Sequence, residues 1–284
     1  MTTSLYPHTK SVFVQSVDLV VRNLEMVSRY YQDVIGLNLI EGGSKRHILG
    51  SDIPLLTLHG NNSASPSPRH AAGLFHTAFL LPTRKDLAHQ LKHVVENRIP
   101  LLGVADHLVS EAIYFTDPEG NGVEVYADRP HQDWQFDKEG VVMDTLNLDT
   151  QNLLSVSPNE PWRKLPNGTA IGHIHLQVGN IHETENFYRD VMGLKVMHRT
   201  IGAAFFSSGD YHHHIAANTW MSHGTTPRQD GMTDLSGYTL LFNNESDLLR
   251  TIKKFENINT AAVNTPVAKF VKDPWGIGLT LTQP

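Results

Sequence analysis

The chain contains no cysteine. Disulfides, thiolate metal ligands and thiol nucleophiles are therefore excluded, and any transition-metal site must be built from imidazole and carboxylate. Charged residues make up only 18% of the sequence, and the formal net charge is −6. A protein that neutralises phosphates needs the opposite sign, so no nucleic-acid partner is expected. No apolar run approaches the ~20 residues of a membrane span, so no membrane partner is expected either. The segment from Met1 to Pro7 lacks the basic and apolar regions of a secretory signal, which makes a cytoplasmic location the expectation. Histidine, by contrast, is abundant, at 17 residues.

What is present is present twice. Tyr30-Tyr31-Gln32-Asp33-Val34-Ile35-Gly36-Leu37 returns as Phe187-Tyr188-Arg189-Asp190-Val191-Met192-Gly193-Leu194, and Asp117-Pro118-Glu119-Gly120 returns as Asp273-Pro274-Trp275-Gly276. Each half reads as two smaller units of strand, helix and several strands. Unit one has a β-rich run from Val12 to Val21, a helix from Leu24 to Ile35 stopped by Gly36, and short strands at Leu37–Ile40, Arg46–Leu49 and Leu55–Leu58. Unit two has strands at Leu74–Leu81, Leu101–Ala105, Ala112–Thr116 and Gly122–Tyr126, with a helix over Lys85–Asn97. Its Asp-Pro-Glu-Gly segment is a tight turn.

The second half repeats the scheme. Unit three has strands at Ile171–Val178, Lys195–Arg199, Ala203–Ser207 and His213–Thr219, with a helix over Glu183–Met192 stopped by Gly193. Unit four has strands at Tyr238–Phe242, Val267–Val271 and Gly278–Thr282, with a helix over Glu245–Asn257. The expectation is an α+β protein of four βαβββ units forming curved mixed sheets. The modules are residues 10–128 and 169–283, joined by a connector at 129–168 with a short helix near Asp144–Leu154.

The two copies differ in their ionisable groups. Ser16 aligns with His173, Asp18 with His175, His76 with Gly237 and Glu124 with Thr280. Candidate ligands therefore concentrate in units two and three. Strand alternation puts His76 on one face with Ala78 and Leu80, Glu124 with Gly122 and Tyr126, and His173 with His175 and Gln177. A carboxylate and imidazoles inside a half-buried sheet are costly unless paired or metal-bound. Two His and one carboxylate suit non-haem Fe(II) and dioxygen chemistry. Taken singly, His76 reads equally as a hydrogen-bonded core histidine, Glu124 as a solvent-facing strand residue and Tyr114 as packing. The run His212-His213-His214 reads as a surface patch or, if it is a strand, as one with His212 and His214 on one face. The joint asymmetry between the copies favours a site.

At these residues the chain resembles the vicinal oxygen chelate superfamily, in particular its extradiol ring-cleaving, catechol 2,3-dioxygenase-like branch. The resemblance is carried by Gly172-His173-Ile174-His175-Leu176-Gln177-Val178, by Phe75-His76-Thr77-Ala78-Phe79, and by the run from Ile113 to Tyr126. It implies two cup-shaped mixed sheets, with a divalent metal held by His76, Glu124 and His173. Fe(II) is the first choice and Mn(II) the second. Tyr114 would donate to the substrate oxygen, and His107, His175 or His214 would move protons.

The implied reaction is ring cleavage of a catechol or hydroquinone, with the aromatic diol and O2 as partners and Phe75, Phe79, Tyr126 and Phe205 as apolar lining. Members of this branch take their ligands from one C-terminal module in the order His, His, Glu. Here the order is His76, Glu124, His173, which requires units two and three to pair. A homo-oligomer is compatible with the edge strands. One alternative is a glyoxalase-like lyase or isomerase with His214 as fourth ligand and Zn or Ni as the ion. The other is a non-enzymatic aromatic-ligand-binding protein.

Overall fold

The computed structural model describes residues 6–257, 263–264 and 268–284. Val267, with which one of the expected strands opens, lies outside the described residues. The elements follow the sequence closely. The first unit comprises β1 (Val12–Val21), α1 (Leu24–Tyr30), β2 (Asn38–Gly42), β3 (Arg46–Gly50) and β4 (Pro54–Gly60). The second comprises β5 (Gly73–Leu80), α2 (Arg84–Glu96), β6 (Gly103–Asp106), β7 (Ser110–Thr116) and β8 (Gly122–Asp128).

The connector forms a small hairpin, β9 (Phe136–Asp137) with β10 (Gly140–Val141), and a short helix α3 (Thr150–Ser155). The third unit contains β11 (Ala170–Gln177), α4 (Ile181–Asn186), β12 (Lys195–Thr200), β13 (Ala203–Ser207) and β14 (Ile215–Asn218). The fourth contains β15 (Asp234–Phe242), α5 (Glu245–Asn257), β16 (Val263–Asn264), β17 (Ala268–Lys272) and β18 (Gly278–Thr282).

These strands form two eight-stranded mixed sheets. One runs β12-β13-β14-β11-β5-β8-β7-β6, and the other runs β16-β17-β18-β15-β1-β4-β3-β2. The sequence halves are therefore not the sheets. Units two and three build one sheet, units one and four the other. In each, the middle rung joins the opening strand of one half to a strand of the other, β11 with β5 and β1 with β15, both antiparallel.

Local chemistry explains the helices. Asn23 caps α1 by accepting from the Met26 N–H, and Thr83 caps α2 by accepting from the Asp86 N–H. Leu87, Leu91 and Val94 lie on one face of α2 and are buried. At helical spacing they lay that face on the core, each leucine contributing about 2 kcal/mol. The expected helix over Leu24–Ile35 is α-helical only to Tyr30 and closes in a wider π turn over Tyr31–Ile35; α4 closes the same way over Phe187–Val191. Gly36 ends the first of these turns with φ +94°, and a Cβ there would lie 2.5 Å from the Trp162 ring.

The repeated Asp-Pro turns are built alike. Asp117 accepts from the N–H groups of Glu119 and Asn121 at 2.8 and 2.9 Å, and Asp273 from those of Trp275 and Ile277, both at 2.9 Å. The Tyr188 hydroxyl donates to Asp273 at 3.2 Å. Burial pushes the Asp273 carboxyl up to about 7, against the lowering effect of those bonds.

Two outcomes are expected. Gly36→Ala combines a left-handed backbone with a collision against Trp162, so it should lower stability by roughly 2 kcal/mol in chemical denaturation. Asp273 binds its proton more tightly folded than unfolded, so ionising it in the native protein costs stability as pH rises from its unfolded value toward 7. Asp273→Asn keeps the acceptor oxygen without that charge. Its thermal midpoint should gain on that of the wild type between about pH 4 and 7 and keep that gain above it.

Candidate metal centre

Bulges decide which side chains enter the cup of the first sheet. On β11, Ile171 pairs with Phe79 and His173 with Ala78, so Gly172 is the extra residue. On β5, His76 pairs with His175 and Leu74 with Leu176, which leaves Phe75 extra. Each extra residue resets the alternation. Ile171, Ile174 and Leu176 consequently all join the core, while His173 and His175 face the cup with Gln177. Phe75 and His76, adjacent in sequence, line the same cavity. Gly172 is required at its position, because a Cβ there would collide with the Tyr126 hydroxyl. Glu124 reaches the same face from β8, paired with Ala78.

The three sequence-predicted ligands converge. His76 Nε2 is 2.9 Å from Glu124 Oε2, His173 Nε2 is 3.2 Å from the same oxygen, and the two imidazole nitrogens are 3.3 Å apart. All three residues are buried. Among the described residues no other group of His, Asp and Glu is placed to hold an ion. Adjacent corners of an octahedron with bonds of about 2.1 Å lie about 3 Å apart, so the spacing fits one face of a six-coordinate divalent ion.

The charge state fits as well. Withdrawal from water holds the His173 imidazole down to about 4, against the raising effect of Glu124. Burial opposes ionisation of Glu124, but His173 and His76 outweigh it and keep the carboxyl well below its ordinary value. A buried carboxylate with two imidazole nitrogens within 3.3 Å is a donor set that suits a divalent cation.

The cavity holding these groups is about 1080 Å³. Phe75, Phe205 and Trp220 form its apolar wall, and Trp220 lies 51% exposed at the rim. Two of the expected lining residues are elsewhere. Phe79 is in the core, because it is on the opposite face of β5 from His76. Tyr126 lies behind the cavity wall, its hydroxyl bonded to that of Tyr211 at 2.8 Å.

Tyr114 pairs with Glu124 across β7 and β8 and lines the cavity. Burial, followed by the Glu124 charge, raises its phenol well above the usual value, so it stays a donor. Its hydroxyl is 2.6 Å from His107 Nε2, and His107 Nδ1 is 2.9 Å from the Asp144 carbonyl. A carbonyl only accepts, so Nδ1 carries the proton and Nε2 receives the tyrosine O–H. A tight turn presents His107 at the tip of the β6–β7 hairpin, with Leu108 at φ +68° beside it.

His175 also lines the cavity. Its Nε2 accepts from the Asn218 amide at 3.0 Å, and its ring lies 4.9 Å from those of both His76 and Phe75. Burial first, then the neighbouring imidazoles, push its pKa well below the ordinary value.

His214 is not at the site. Its Nδ1 accepts from the Ser207 hydroxyl at 3.0 Å, and its Nε2 donates to the Pro7 carbonyl at 3.1 Å. The expected strand from His213 begins only at Ile215, so strand alternation does not govern the histidine run. The residue turned into the cup is His213, whose ring lies 4.1 Å from that of His173. Its Nδ1 is 2.7 Å from that of His212, which in turn reaches Asp128 at 3.0 Å. A composition that puts three histidines before a strand was the available signal; which one faces the cup depends on the bend.

Among the described residues the second sheet has no such site, for a structural reason. The rung His175–His76 corresponds there to Asp18–Gly237, and the rung Ala78–Glu124 to Thr239–Thr280. A Cβ at Gly237 would lie 2.8 Å from the Gly278 carbonyl, which leaves no room for an imidazole.

Comparison with known proteins places the fold. The sequence profile of the Glyoxalase/Bleomycin resistance protein/Dioxygenase superfamily matches residues 13–125 and 170–281. The chain belongs to this superfamily. Among curated superfamily proteins it is 38% identical over 262 residues to the catechol-2,3-dioxygenase of Bacillus subtilis (strain 168), covering 90% of this chain and 92% of that one. Over 119 residues it is 29% identical to biphenyl-2,3-diol 1,2-dioxygenase 3 of Rhodococcus globerulus, covering 39% of this chain and 60% of that protein. Glyoxalase I from Zea mays shares the superfamily fold with a TM-score of 0.59 at 12% identity, over 98% of this chain and 94% of that one.

If the triad holds an ion, His76→Ala, Glu124→Ala and His173→Ala should each lose stoichiometric divalent metal, measured by elemental analysis after gel filtration. Metal at a hundredfold excess over its Kd should raise wild-type stability by about 2.7 kcal/mol and leave Glu124→Ala unmoved.

Proposed function

We propose that the protein is an extradiol-type dioxygenase that cleaves the ring of a catechol or hydroquinone with O2, using one divalent ion held by His76, Glu124 and His173. The observation that carries this reading is the convergence of those three donor atoms in a cavity walled by Phe75, Phe205 and Trp220. The 38% identity to a catechol-2,3-dioxygenase over nearly the whole of both chains supports it. Two imidazoles and one carboxylate are the donor set of non-haem iron oxygenases, so we assign Fe(II), with Mn(II) as the alternative ion. When bound, the ion supplies Lewis acidity toward a phenolic oxygen and the redox capacity for dioxygen chemistry.

The protein's own groups do the rest. The aromatic wall binds the flat ring and keeps water away from it. Tyr114, aimed into the cavity, accepts the proton of a diol hydroxyl at its oxygen as its own O–H proton passes on. His107 Nε2 accepts the tyrosine proton, and its Nδ1–H on the Asp144 carbonyl fixes that tautomer. Tyr114 and His107 thus form a two-member path along which a proton leaves or enters at the Tyr114 oxygen. His175 is anchored by Asn218 and packs at a tilt against Phe75, so its part is to brace the ring-binding wall.

The lyase or isomerase alternative drew its fourth ligand from His214. With both ring nitrogens of His214 engaged by Ser207 and Pro7, that donor set is not assembled. No helix among the described residues is long and apolar enough to cross a membrane, and we place the enzyme in the cytoplasm.

Anaerobic metal analysis followed by an oxygen-electrode screen of catechols and hydroquinones tests the reading. Fe(II)-dependent O2 uptake, lost on chelation and restored by Fe(II), is the expected result. Protein loaded with Zn or Ni that transforms a substrate without consuming O2 would exclude it. Tyr114→Phe should keep full metal occupancy and lose roughly 10²-fold or more in kcat, the scale of a positioned acid or base.

A further inference from the structure

Asp234 opens β15, in the sheet that lacks the triad. It pairs with Val20 as Gly73, which opens β5, pairs with Gln177. The two residues occupy equivalent positions in the two sheets, and they meet. The Leu74 N–H donates to both carboxylate oxygens of Asp234, at 3.1 and 3.3 Å, and the Ser67 hydroxyl donates to Oδ2 at 3.4 Å. A Cβ on Gly73 would collide with Oδ2, so only glycine at that position lets the carboxylate reach the β5 backbone.

Asp234 also has φ +92°, a region that L-residues rarely adopt. Such strain persists where the surroundings over-determine it. Here the Arg228 guanidinium donates to the carbonyls of Met232 and Thr233, both at 3.0 Å, the Thr233 N–H donates to the Ser65 carbonyl at 2.8 Å, and the Ser67 N–H donates to the Thr233 hydroxyl at 3.0 Å. Leu74, the residue so clamped, immediately precedes the bulge that turns Phe75 and His76 into the cup.

We propose that Asp234 is a positioning residue for the metal centre: its carboxylate, carried on the triad-free sheet, fixes the start of β5 and with it the aim of His76. The proposal rests on the reading of His76 as a ligand. It gives the second sheet a part in the site, because the carboxylate it lends across the seam has glycine as its counterpart in the sheet that binds.

The test is titration of metal-free protein with Co(II) alone, read by visible absorption for affinity and coordination, beside thermal unfolding of the same metal-free samples. Asp234→Gly accommodates the backbone angle and removes the carboxylate. It should bind Co(II) about 10-fold or more weakly, with an altered spectrum, the scale seen when a group supporting a ligand is removed. Its midpoint should move little, since relief of the angle offsets the lost bonds. Asp234→Asn keeps an acceptor for the Leu74 N–H and tolerates positive φ, so its affinity should stay close to wild type.

Gly73→Ala attacks the same contact from the other side and should weaken Co(II) as Asp234→Gly does. The double variant should be no weaker than either single one, because both break one contact. Unchanged affinity and spectrum in Gly73→Ala and Asp234→Gly, with a lowered midpoint, would reduce Asp234 to a staple between sheets. If Asp234→Gly does not fold, Gly73→Ala decides alone. His76→Ala separates the two failures. If it binds Co(II) as wild type does, the ligand assignment falls and this proposal with it. If it loses Co(II) while Gly73→Ala keeps it, only the positioning role falls.

Discussion

The site depends on an electrostatic frustration. Two imidazole nitrogens and a carboxylate oxygen point at one another across about 3 Å, and all three belong to buried residues. A single carboxylate in such a place would be costly without partners to offset its charge. A divalent cation would offset that cost, because all three groups are complementary to it. Packing elsewhere holds the three strands that carry them at this separation.

That packing uses few devices. A bulge on β11 and another on β5 break the in-out alternation, so hydrophobic residues stay in the core while histidines and a phenylalanine crowd into one cup. Gly172 admits the Tyr126 hydroxyl beside His173. Around the triad, the polar groups sort by what they touch. Tyr114 and His107 share a hydrogen bond at the cavity wall, His175 is tied to Asn218, and His214 serves the N-terminal segment by holding the Pro7 carbonyl.

Most of the architecture was legible in the sequence because it is written twice. The helix stops at Gly36 and Gly193, the Asp-Pro turns and the opening strands fall where composition puts them, and the different order of ligands required units two and three to share a sheet. The triad was legible from the same comparison, since Gly237 and Thr280 stand where His76 and Glu124 stand. What escaped was whatever depended on breaks in periodicity. The resemblance favours His214, but the strand begins only at Ile215, and the bend before it turns His213 to the cup instead. Strand alternation from His76 puts Phe79 on the opposite face, whereas the bulge that turns Phe75 to the cavity beside His76 cannot be seen in one sequence. The π turns closing α1 and α4 were hidden for a similar reason, as a wider turn keeps the same apolar spacing over so short a stretch. The link from Tyr114 to His107 needs the hairpin tip, where Leu108 takes a left-handed angle.

The interleaving of the halves has a consequence for biogenesis. β5 and β8 are complete early in the chain, but their sheet is closed on one side by β11, which follows the connector. A nascent chain that has delivered only its first half owns His76 and Glu124 without His173, on a sheet whose central edge is bare. Such edges invite pairing with other chains, and contacts so distant in sequence form slowly. The three donors therefore converge only at the last stage of maturation, after the later half has left the ribosome and docked, and a half-made molecule holds an incomplete cluster.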